Sequence, residues 1–145
     1  GASQMFFVSS PVSGAIMIVA LLCQSPHAAL ATITGSLIGM LGGTAFGADV
    51  SDLRAGVWGF NAALAALWVT LHYEPPRGPR AAWALGAAAL ATALFAGMGR
   101  LAAAVLSTPC LSLPFCTTGW LCFLLGRAPT CARGPRPQAA SPNAD

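Results

Sequence analysis

Catalysis, metal binding and proton relay all need side chains that can cooperate at short range, and this chain places almost none of them where they could. Cys23, Cys110, Cys116, Cys122 and Cys131 form no CxxC pair, and a free thiol among apolar neighbours packs as a small hydrophobe. His27 and His72 fall in loops with no Cys or carboxylate at ligand spacing, so no metal site is expected. Ser and Thr are plentiful, yet there is neither a Ser-His-acid order nor a Gly-x-Ser-x-Gly elbow, which argues against an enzyme. Carriers coupled to protons or ions place Asp, Glu or His inside their spans. Here Asp49, Asp52, Glu74 and Asp145 all lie outside the apolar bands, and the charged residues within them are Arg54 at an entrance and Arg100 near one end, where it can snorkel. What these residues can do is line a route for a neutral solute with hydroxyls, amides, carbonyls and apolar rings. No cofactor is implied.

The composition demands a membrane setting for such a route. Hydrophobic residues make up 56% of the chain and DEKR 8%, with a mean hydropathy of +0.69, whereas a soluble domain carries roughly 25% charged residues. The seven arginines are spread along the chain rather than clustered and there is no Lys, so a nucleic-acid surface is not expected. The first band lacks a basic n-region and a cleavage site, so it does not read as a signal peptide, and the chain is expected to be a fragment or one repeat of something longer.

Pro, Gly and charge punctuation divides the apolar sequence into a stub at 2–8 and five bands at 12–23, 28–46, 53–71, 81–106 and 113–125. All five are expected to be transmembrane helices. Arg77 and Arg80 follow the third band and Arg127, Arg133 and Arg136 follow the fifth, so two bands separate the groups and both lie on one side. The positive-inside rule makes that side cytoplasmic. Residues 127–145 are rich in Pro and poor in apolar side chains and are expected to be a disordered cytoplasmic tail. Gly35, Gly39 and Gly43 recur at four-residue spacing, which puts a smooth face on the second band for another backbone to approach.

Three strings stand out against this frame: Gly1-Ala2-Ser3-Gln4-Met5-Phe6-Phe7 in the stub, Gly59-Phe60-Asn61 opening the third band, and Ser112-Leu113-Pro114-Phe115 before the fifth. In this order they resemble one repeat of the urea transporter family, whose halves carry a Gly-x-Gly-Gln stub, a Gly-aromatic-Asn motif and a Thr-x-Pro-Phe motif. The resemblance covers 1–126 and is nearest to the C-terminal half of the animal proteins. Ser3 stands where Gly is usual, Met5 where Val is common, Ser10 where the family has Asn before Pro, and Arg100 where a small neutral residue is the rule.

The resemblance implies an all-α membrane protein, with one re-entrant half-helix and five transmembrane helices forming one half of an inverted repeat. It implies passive transport of urea and close analogues, a complementary first half, a homotrimer and a plasma-membrane location. Phe7 and Phe60 match the slot phenylalanines, Leu64 the apolar wall one turn on, Gln4 and the neighbouring Met5 the solute contact near a pore mouth, and Ser112 the Thr at the narrow centre. Asn61 reads as a residue that ties helices together by hydrogen bonds. One half encloses no pore alone, so a non-transporting scaffold or truncated subunit is the alternative.

Overall fold

The computed structural model describes residues 11–73, 75, 78–107 and 109–125, and the elements among them are all helical. They are α1 Pro11–Gln24, α2 Pro26–Ala45, α3 Val50–Ala55, α4 Val57–His72, α5 Arg80–Leu106 and α6 Leu113–Leu125. The stub, with Gln4, Met5 and Phe7, and the tail lie outside the described residues.

Local chemistry sets the boundaries. Extended Ser25 (φ −162°) followed by Pro26 breaks the apolar run between α1 and α2, because proline's fixed φ suits a first helical turn and its missing N–H costs nothing there. The band expected as one span over 53–71 is two helices. Gly56 adopts φ +76°, and its N–H caps the Asp52 and Leu53 carbonyls, ending α3 before α4 begins at Val57. The residues on either side of this point, Ala55 and Val57, are apolar, and only glycine takes the left-handed conformation without a Cβ penalty. His27 and His72 are also placed differently from expectation: they sit in the first turn of α2 and at the last residue of α4, not in loops.

α2, α4 and α5 pack around a common core, α1 lies on α2, and α6 lies against α4 and α5. The α2–α4 contact is made by backbone. A Cβ added to Gly35 would lie 2.7 Å from the Ala62 carbonyl oxygen and 2.9 Å from Ala63 Cα, and one on Gly39 would strike the Trp58 carbonyl. One on Gly43 would meet the Trp58 ring at 2.9 Å. Opposite them α4 offers Gly59, Ala62, Ala63 and Ala66, all buried. Within lipid, where apolar surface has no water to escape, such close approach gathers dispersion contacts that larger side chains would forbid. Thr32 and Thr92 are buried here too, and each returns its hydroxyl hydrogen to the carbonyl four residues back, at 2.9 and 2.8 Å.

Large apolar side chains point outward from this core, among them Ile16, Leu41, Leu101, Val105 and Leu124. Two stretches, Pro26–Ala45 and Arg80–Ala102, are long and apolar enough to cross a membrane by length and composition, while α1, α4 and α6 hold shorter apolar helices. Gly35→Ala should therefore destabilise the bundle by about 1–3 kcal/mol through overpacking. Gly86→Ala, where an added Cβ meets nothing within 4 Å, should be neutral or gain about 0.5–1 kcal/mol from helix propensity. Denaturation of both variants in one detergent checks the contrast.

Candidate functional site

The connection between α5 and α6 has a backbone that its own sequence does not satisfy. Ser107 and Leu111 adopt φ +50° and +44°, a left-handed conformation costing roughly 1–2 kcal/mol for a residue with a Cβ. Pro109 and Pro114 donate no N–H. The compensation comes from α4. Asn61, fully buried, donates from Nδ2 to the Leu111 carbonyl at 2.9 Å, and its Oδ1 accepts the Phe115 N–H at 3.3 Å. One amide thus closes both sides of the break before α6, which only a group that donates and accepts from the same end can do.

Phe60, next to Asn61, is 8% exposed and forms part of a cavity of about 840 Å³ between α3, the start of α4, the second half of α5 and the α5–α6 connection. Trp58, Phe60 and Phe95 give it an aromatic wall: Trp58 and Phe95 meet edge to face at 5.1 Å, and Phe60 and Phe95 at 6.5 Å. Asp49, Asp52 and Arg100 form its charged portion. Arg100 does more than reach for an interface. Its Nη2 donates at 3.1 Å to the carbonyl of Phe46, the C-cap of α2, where exposed carbonyls carry partial negative charge. Burial also pushes the Cys110 thiol in this wall above its ordinary range.

Of the residues read from sequence, Phe60 is on this cavity, Leu64 is half-buried one turn further along α4, and Ser112 is exposed at the start of α6 beside Leu111. Gly35, Gly39 and Gly43 hold α2 against α4 behind them. Three members of the site had no motif to mark them: Phe95, the cap made by Arg100, and the Leu111 carbonyl that Asn61 reaches. The signals available were slight, an isolated aromatic and an isolated cation in the Ala-rich fourth band. Among the described residues no group of three His, Cys, Asp or Glu could hold a metal ion.

The family described as "Urea transporter" matches residues 1–127. This chain belongs to the urea transporter family. It is 34% identical over 130 residues to "Urea transporter 1" of Rattus norvegicus, 86% of this chain and 32% of that protein. It is 32% identical to the proteins of the same name from Ovis aries over 130 residues and Mus musculus over 125, with the same coverage. The chain therefore spans about a third of the length of these curated relatives. Members of the family are membrane transporters, not enzymes.

Asn61→Ala in this family member should leave the Leu111 carbonyl and Phe115 amide without their part-buried partner, at about 1 kcal/mol for each lost bond. The α5–α6 connection should open. Maleimide labelling of Cys110 at fixed pH should then rise above wild type, while labelling of exposed Cys23 stays constant.

Proposed function

We propose that the chain forms one half, the second, of a passive channel-like pore for urea and close analogues. It would work in the plasma membrane with its C-terminus in the cytoplasm, paired with a first half of opposite topology, and three such pores would assemble as a trimer. Solute would pass between Phe7 and Phe60 and their counterparts in the other half, along the apolar wall of Leu64. A flat aromatic slot admits a planar molecule and disfavours a hydrated ion. Gln4 and Met5 would meet solute near one mouth, and the Ser112 hydroxyl, with nearby carbonyl oxygens, would accept urea N–H groups as water is shed. No bond is made or broken, so flux follows the gradient.

One observation carries this reading: the hydrogen bond from the Phe115 N–H to Asn61 Oδ1 ties together two motif strings 54 residues apart. Phe60 adjoins Asn61, and Ser112 lies between its partners Leu111 and Phe115, which supports a shared path for the two. The alternative reading is a non-transporting scaffold or subunit that joins full-length partners.

Stopped-flow urea flux in liposomes separates the two. The chain alone should match the lipid background, and co-reconstitution with a complementary first half should raise flux well above it. In that assembly Phe60→Ala should cut discrimination against bulkier neutral solutes by about tenfold, the scale of one lost aromatic contact. Background flux with the partner present, unmoved by the substitution, would favour the scaffold.

A further inference from the structure

A second cavity, of about 570 Å³, opens between α2, α4 and α5 at the other end of the bundle. Its polar walls are Ser25, His27, Thr34, Thr70 and Arg80, and its apolar walls include Leu30 and Leu85. Among the described residues the lining contains no acidic side chain. Arg80 is held in place by a bond from Nη1 to the Thr70 carbonyl at 3.3 Å, and a guanidinium has five N–H donors, enough to bind an anion in addition. His27, exposed at the start of α2, adds another donor.

The backbone reinforces the sign of this mouth. α2 and α5 both begin here, neither has an acidic residue in its first turn, and neither N-cap residue, Ser25 or Pro79, makes a side-chain cap bond. The positive dipole ends of both helices therefore lie on the side of Arg80. The neighbouring α4–α5 connection carries Glu74 as well as Arg77 and adds no net charge. Away from the mouth the cavity follows Leu30 and Leu85, which are exposed on the outer surfaces of α2 and α5.

A positive mouth continuous with an apolar outer trough matches one class of molecule abundant in a bilayer. We propose that this groove binds an anionic phospholipid, its headgroup phosphate at Arg80 and His27 and one acyl chain along Leu30 and Leu85. A free phosphate would use only the mouth. The positive-inside orientation puts the groove at the cytoplasmic leaflet, where anionic lipids concentrate. The inference is independent of whether the chain conducts urea.

Native mass spectrometry of the full chain, released from detergent containing equal phosphatidylserine and phosphatidylcholine, tests it. Phosphatidylserine should be retained about fivefold over phosphatidylcholine, the preference expected from one basic contact. Arg80→Gln should abolish the preference. His27→Glu, at an exposed position that leaves the Arg80–Thr70 bond intact, should do the same, while Arg54→Gln in exposed α3 should change nothing. Equal retention of the two lipids, or a preference that survives both groove substitutions, overturns the proposal. Displacement of the lipid by inorganic phosphate would make this a soluble-anion site instead. Loss of the preference when a complementary first half is co-purified would assign the groove to a protein segment, which also overturns it.

Discussion

Everything in this bundle depends on how closely two backbones approach, because α2 and α4 meet through Gly35, Gly39 and Gly43 on one side and Gly59, Ala62 and Ala63 on the other. A soluble protein would hold such helices with the hydrophobic effect; in lipid that drive is absent and packing must replace it. Glycine supplies the packing by absence. With no side chain between the helices, dispersion contacts run along their length, and α4 is fixed in rotation as well as position. That rotation decides which α4 side chains face α5 and α6, and so where Phe60 and Asn61 point.

Asn61 converts this packing into a site. Its amide reaches the break before α6 only because α4 is held in place, and the break survives two left-handed non-glycine residues because its carbonyl and amide find a partner there. Arg100 plays a related part at the end of α2, where it satisfies a C-terminal carbonyl within the wall of the same cavity. Asn61 and Arg100 thus serve backbone left open by helix ends. The cavity's aromatic residues, free of that duty, supply its shape.

Much of the helix layout was legible because Pro and Gly mark ends by mechanisms that leave a trace in single residues: Pro11 and Pro26 start helices at the first turn, and α5 and α6 begin within one residue of the bands read from hydropathy. The break at Gly56 was hidden, since the residues on both sides are apolar and a left-handed glycine looks like any other glycine in a hydrophobic run. The four-residue glycine spacing defines a face, but that α4 is the neighbour filling it depends on long-range packing. For the same reason Phe95 was invisible. Its contribution is its contact with Trp58 and Phe60, and such contacts have no local pattern. Gln4, Met5 and Phe7 could be read from motif alone.

The proposed half pore makes a geometric demand: the α4 face carrying Phe60 and Leu64 would have to line the solute path once a complementary half is present. The most direct measurement is thiol modification of Leu64→Cys in that two-half assembly, with the five native cysteines replaced, using a small water-soluble thiosulfonate with and without saturating urea analogue. The account predicts that the new thiol is reached from water and that the analogue slows its modification. A thiol that reacts at the same rate with and without the analogue, or one that water never reaches, would contradict it.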